Sequence, residues 1–218
     1  MGPRERRERE REEIRTRILD AARDLFLAEG YDAVTMRRIA DKIEYSPTAI
    51  YFHFRDKDAL IRELCDTDFR TLAHQLTQIS TITDPIERLR QIGLAYFDFA
   101  STYPNHYRLM FMTPHPSIDP ELSGLAQGDP QEDAYAFLKH VVTDCIATGR
   151  VRDEYQDAEL MSQTMWAGVH GVVSLQIAKC NDPWVEWRPL RTRVETMIDV
   201  LIRGFLVEDR RPRLSNGE

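Results

Sequence analysis

Apolar positions recur along this chain at steps of three and four residues, and no segment alternates with period two for long enough to make a strand. Ile14, Ile18, Ala21, Ala22, Leu25 and Phe26 trace the inner face of a first helix, which Gly30 ends as a left-handed stop. Thr35 is placed to cap a second helix, about 36–43, that turns Ile39, Ala40 and Ile43 inward. Ser46-Pro47 opens a third, because Ser caps a helix start and Pro is favoured where its missing N–H costs nothing. That helix ends near Phe54, since Asp56 caps a long fourth helix carrying Leu60, Ile61, Leu64, Leu72, Leu76 and Ile79. A fifth runs from Asp84-Pro85 to about Thr102, and Pro104 starts a short aromatic segment. Residues 113–130, with Pro114, Pro116, Pro120 and Pro130, form the longest loop. Three further helices fall at about 131–148, 157–180 and 189–207. The pattern predicts an all-α protein of about nine helices: an N-terminal three-helix domain and a larger C-terminal helical bundle.

Composition narrows the class. Hydrophobic residues make up 42% and charged residues 30%, a globular profile rather than a disordered one. The N-terminus is charged from Arg4 and lacks the apolar segment of a signal peptide. No apolar run approaches the roughly 18 residues of a membrane helix. Cys65, Cys145 and Cys180 are odd in number and far apart, which points to free thiols in a reducing cytoplasm. They leave no CxxC pair for zinc or redox work. The net charge of −7 is unevenly shared: residues 1–60 hold 13 Lys/Arg and 13 Asp/Glu, whereas residues 61–218 hold 16 and 23. An acidic body repels DNA and leaves the N-terminal part to approach phosphates. Residues 4–13, RERREREREE, make a charged arm (1–13) with i,i+4 pairs that support an extended first helix. Two readings of it stand open: arginines reaching a minor groove, or a solvated helix start.

The span Thr35 to Lys57 reads as two short helices joined by a tight turn, with small Ala40 allowing close approach and Ile50 filling the space between them. That is helix-turn-helix packing. In such a unit the start of the second helix meets base edges while flanking groups hold phosphates. Thr48 and Ala49 are the base-edge candidates, and Pro47 adds apolar contact. Thr35, Ser46 and Tyr51 offer hydroxyls to phosphate; Arg37, Arg38, Lys42 and Lys57 offer charge. Phe52 and His53 end the helix, one facing sugars and the other partly packed. Ile39, Ile43, Ile50 and Phe54 are assigned to the core.

The run Ile18 to Leu60, ILDAARDLFLAEGYDAVTMRRIADKIEYSPTAIYFHFRDKDAL, resembles the TetR family of bacterial transcriptional regulators along its whole length. Its first helix ends in EGY, a Thr caps the second, and the short third ends YFHF before DKDAL. The segment Met165 to Gly171, MWAGVHG, is similar to a Trp-His-Gly signature of one branch of the family's C-terminal domains. The resemblance implies a DNA-binding domain over 14–60, a ligand-binding and dimerisation domain over 61–208, and a polar tail over 209–218. The turn position held by Glu44 is often Gly in this family because the turn favours φ > 0. A Glu there implies strain of about 1 kcal/mol.

One helix-turn-helix reads about one half-site, so two copies are expected on a palindrome. Gly168, Gly171, Ser174 and Ala178 form a small-residue stripe for close helix approach, and Val194, Met197, Ile198, Leu201 and Phe205 supply bulk. Packing inside the chain is the alternative for both rows. Tyr96, Phe97, Tyr107, Met110, Phe111, Phe137, Met165 and Trp166 are candidates to line an apolar pocket, with His170 as a polar group. The function implied is a dimeric repressor released from operator DNA by a small apolar effector, with no cofactor. An activator, or a regulator without ligand, fits equally. An enzyme reading finds no GxGxxG, P-loop, GxSxG or HExxH motif to carry it.

Overall fold

The computed structural model describes residues 2–116 and 120–207; the expected polar tail lies outside them. Among the described residues the fold is all-α, built from nine α-helices: α1 Pro3–Glu29, α2 Met36–Lys42, α3 Pro47–His53, α4 Lys57–Thr77, α5 Pro85–Thr102, α6 Pro104–Phe111, α7 Ala134–Ala147, α8 Ala158–Lys179 and α9 Leu190–Phe205. The charged arm is continuous with α1. Gly30 ends α1 with φ 82° and ψ 158°, a positive φ but not the left-handed helical stop expected, and its N–H still reaches the Phe26 carbonyl.

Local chemistry sets the helix starts. The hydroxyls of Thr35 and Ser46 accept from the N–H groups of Arg38 and Ala49, each at 3.2 Å. Asp56 Oδ1 accepts from Ala59 N–H at 2.7 Å, and Asp157 Oδ1 from Leu160 N–H at 3.0 Å. Each cap satisfies a donor that the helix itself leaves orphaned. The Ala59 bond, with help from Arg55, holds the Asp56 carboxyl below the usual carboxylate range.

The chain forms two compact units. The first takes residues 1–75 and 98–134. Its core joins Ile18, Ala22 and Phe26 to Ile39, Ile50, Leu60, Leu64 and Leu109. Inside it Asp68, 1% exposed, accepts a bidentate pair from Arg23, 7% exposed, and its Oδ1 lies 2.8 Å from His106 Nδ1. Buried Asp66 accepts from Ser123 Oγ at 2.8 Å and Gly124 N–H at 2.7 Å, fixing the loop after α6 against α4. Cys65 is buried 3.9 Å from His115 Nε2, and burial pushes its thiol up to about 12.

The second unit takes residues 76–97 and 135 onward. Here α8 and α9 pack on each other and on the first turns of α5. A Cβ on Gly168 would meet Leu201 Cδ1 at 2.6 Å, and one on Gly93 would meet Ile198 Cδ1 at 2.7 Å, so both glycines permit close helix approach. Arg88 pairs with Asp144 at 2.9 Å to tie α5 to α7. Past α9 the chain forms a single antiparallel bridge, Leu206 with Val151. Arg152 N–H reaches the Phe205 carbonyl at 3.1 Å and Val207 N–H the Arg150 carbonyl at 2.9 Å.

Candidate nucleic-acid interface

The turn between α2 and α3 is built from backbone hydrogen bonds that wrap the end of α2. Tyr45 N–H reaches the Ala40 carbonyl at 3.0 Å and Glu44 N–H the Asp41 carbonyl at 3.3 Å. This double closure is a Schellman motif, which needs a left-handed residue after the helix. Glu44 fills that place at φ 60°. The strain expected from the sequence is located here.

Two arginines of α1 hold the unit from behind. Arg17 Nη2 donates to the Ile43 carbonyl at 3.3 Å, and Arg15 Nη1 to the His53 carbonyl at 3.2 Å. Both carbonyls lie at helix C-termini, where a cation meets the negative end of the dipole and an unpaired acceptor. From the other side, Lys57 Nζ donates to the carbonyls of Tyr31 and Val34 at 2.7 and 3.0 Å and sits 4.1 Å from the Tyr31 ring centroid. The Tyr31 hydroxyl donates to Asp58, and burial with that carboxylate raises its pKa well above the ordinary tyrosine value. Lys57 Nζ thereby fixes the 30–35 loop with two of its three donors and keeps one for a phosphate.

What α3 leaves outward is a mixed face. Thr48 is exposed, Tyr51 is 54% and Phe52 72% exposed, while Pro47 and Ala49 are half-buried and Ile50 lies in the core. Phe52 is the member of its pair that faces out. His53 is half-buried, its Nδ1 has no partner, and burial followed by the fields of Arg11 and Arg15 lowers its pKa. Thr35 and Ser46 serve as caps yet remain exposed. Arg38 pairs with Glu29 at 2.9 Å and Lys42 with Asp24 at 3.0 Å, both on the surface, where such pairs are weak and exchange readily. Among the described residues exposed Arg37 carries no ion pair.

The body candidates divide. Tyr107, Met110 and Phe111 belong to the first unit, where the Tyr107 and Phe111 rings lie 5.1 Å apart. In the second unit Trp166 Nε1 donates to the Tyr96 hydroxyl at 3.1 Å, which lies 3.0 Å from His170 Nδ1. Burial lowers the His170 pKa and so favours its neutral ring beside the Tyr96 hydroxyl. Phe97, Phe137 and Met165 are buried, whereas Trp166 is 38% exposed. On α9, Val194, Ile198 and Phe205 are buried at 0, 4 and 1% within their own unit. They face inward and offer no surface to a second chain. Met197 and Leu201 are half-buried against Gly168, Gly171 and Ser174 are half-buried, and Ala178 is exposed.

Pattern reading missed three contributors. Arg23 and Asp68 pair across 45 residues, and no periodicity signals such a contact. Arg11 stacks over Phe52 at 5.6 Å; its signal was present as a spacing of arginines on one helical face.

An exposed short helix, capped by Ser46 and held against a second helix by a Schellman turn, defines a helix-turn-helix DNA-binding protein. Comparison with known proteins agrees. Residues 18–64 match the family of bacterial regulatory proteins, tetR family, and residues 89–201 match the tetracyclin repressor-like C-terminal domain. The transcriptional activator FasR of Mycolicibacterium smegmatis is 35% identical over 46% of this chain, which spans 47% of that relative's length. The regulator UidR of Escherichia coli is 26% identical over 69% of this chain and 71% of its own length. The solved structure of the TetR family regulator PfmR from Thermus thermophilus superposes with a TM-score of 0.66 at 18% identity, covering 85% of this chain and 97% of PfmR. The chain belongs to the TetR family and is a DNA-binding transcriptional regulator.

Proposed function

We propose that this regulator binds a palindromic operator as a homodimer and acts as a repressor released by a small apolar effector. The observation that carries the reading is the outward face of α3, where Thr48, Tyr51 and Phe52 are exposed, together with exposed Arg37 of α2, which carries no ion pair among the described residues. Thr48, with Ala49 and Pro47 behind it, reads base edges; Tyr51, Thr35, Ser46, Arg37, Arg38 and Lys42 hold phosphates and sugars. A second copy docks on the outer stripe of α8 and α9, where Gly171, Ala178 and Leu175 line up with Val200 and partly exposed Met197 and Leu201. The Trp166–Tyr96–His170 chain supports a pocket for an effector with one hydrogen-bonding end in a mainly apolar body. The MWAGVHG run, 165–171, supports placement in the Trp-His-Gly branch of the family. A specific observation keeps activation as a second reading: one relative of 35% identity is named a transcriptional activator.

The test uses the duplex that the purified full chain enriches from a random-sequence library. Tyr51→Ala and Thr48→Ala are each expected to weaken binding to that duplex by about 1–3 kcal/mol, with Thr48→Ala also relaxing the preference at one base position. Enrichment of no sequence, or unchanged binding in both variants, sinks the reading. A transcription assay on a promoter carrying the site separates repression from activation by sign.

A further inference from the structure

The charged arm looks balanced in composition, with five Arg and five Glu over residues 4–13. The helix sorts them. At 3.6 residues per turn, Arg4, Arg7, Arg11 and Arg15 fall within an arc of about 80°. Glu8 and Glu12 border one side of that arc, while Arg6–Glu10 and Arg9–Glu13 close ion pairs on other faces at 3.1 and 3.6 Å. On the stripe, Arg4 pairs with Glu8 at 3.2 Å and Arg15 with Glu63 at 3.0 Å. Arg7 and Arg11 have no carboxylate partner among the described residues.

The inner end of the stripe is anchored to the reading helix. Arg15 lies 4.4 Å from the Phe54 ring centroid and donates to the His53 carbonyl, and Arg11 stands 5.6 Å from the ring of Phe52. Phe52 is 72% exposed on α3's outward face. A guanidinium on such a ring keeps its donors directed outward, since the ring occupies only its face. The extension therefore continues from the C-terminal end of α3 as a basic edge.

We propose that Arg7 and Arg11 form a second DNA contact: a helical edge that grips phosphates of the duplex beyond the segment read by α3. It rests on the reading of α3 as the groove helix. Phosphate oxygens suit it because the two guanidiniums are unpaired, arginine binds phosphate with parallel N–H donors, and the stripe offers no pattern for reading bases. The contact adds affinity without sequence preference and lengthens the protected segment.

The experiment measures binding of the full chain to its library-selected duplex and to a mixed-sequence duplex of equal length, from low to moderate salt. Arg7→Ala/Arg11→Ala is expected to weaken both alike and to lower the slope of log K against log salt by about 4 for a bound dimer, one for each of its four arginines. Hydroxyl-radical footprinting should show the outer protection lost and the centre kept. Arg6→Ala/Arg9→Ala makes the same change in net charge on the paired faces and should leave slope and footprint nearly unchanged. Circular dichroism and melting of each variant separate contact from folding. An unchanged slope in Arg7→Ala/Arg11→Ala, or equal losses in the two double variants, overturns the inference while the α3 reading stands. Salt-sensitive binding that drops as expected but selects no sequence supports the edge and refutes the operator reading. A wild-type chain that binds neither duplex overturns both.

Discussion

Glu44 is the one described non-glycine residue with a positive φ. Its side chain is exposed, so no burial offsets the left-handed backbone; the Schellman bonds of Tyr45 and Glu44 hold it there. Such a conformation costs roughly 1–3 kcal/mol for an ordinary residue. Glycine would remove that cost, but the greater freedom of its unfolded chain takes back about 0.4–1 kcal/mol. Glu44→Gly is expected to stabilise the protein by about 1 kcal/mol, a rise in melting temperature of roughly 2–4 °C for a chain of this size. A fall in melting temperature would mean that the Glu44 side chain supports the turn. Lys57 is the neighbouring case of a charge placed by backbone: two carbonyls hold its ammonium, so it closes the loop before α2.

Between helices the decisive groups are glycines, and they are not equivalent. Gly93 of α5 faces buried Ile198 of α9, whose Cδ1 and Cγ1 would lie 2.7 and 2.9 Å from an added Cβ, whereas nothing lies within 4 Å of a Cβ on Gly171. Gly93→Ala should therefore overpack the contact and cost about 1–3 kcal/mol. Gly171→Ala should gain about 0.8–1 kcal/mol of helix propensity in the isolated chain. If α8 carries the dimer interface, Gly171→Ala also weakens dimerisation, because the added methyl lies where a second α8 comes closest. Chemical denaturation checks the first pair of numbers and sedimentation checks the last. A Gly171→Ala protein with undiminished dimer affinity would move the interface off that stripe.

For the chain as a whole, the two perturbed histidines set an acid-side limit. His53 and His170 both have pKa values lowered in the folded state, chiefly by burial. The unfolded chain then binds protons more readily, so their contribution is complete above the unfolded value of about 6.5 and is lost as pH falls through the lower folded values. Melting temperature is expected to fall below about pH 6.5, and the fall should be shallower in His53→Asn/His170→Asn than in the wild type. Parallel curves would assign the acid limit to carboxylates instead.

Much of this fold was legible because its helix starts are written in local chemistry. Thr35, Ser46, Asp56 and Asp157 each cap the helix their type announced, and Pro47, Pro85 and Pro104 each open one. The core residues of the helix-turn-helix, Ile39, Ile50 and Phe54, were legible from spacing. What covers an apolar stripe was not: periodicity gives the same signal for Val194, Ile198 and Phe205 whether α5 or a second chain lies against them. Nor was the job of a cation, since Lys57 and Arg15 are directed by carbonyls that only the folded backbone brings near.

The Arg23–Asp68 pair, shared with His106, bears on how this sequence can vary over time. A buried carboxylate stripped of its guanidinium, or the reverse, costs about 3–5 kcal/mol, against a total stability of roughly 5–15 kcal/mol for a domain. Replacing both with apolar groups of similar volume is often neutral. The two end states are thus comparable while the single steps between them are nearly closed. Positions 23 and 68 behave as one inherited character, and a lineage that holds this pair will tend to keep it whether or not it serves regulation.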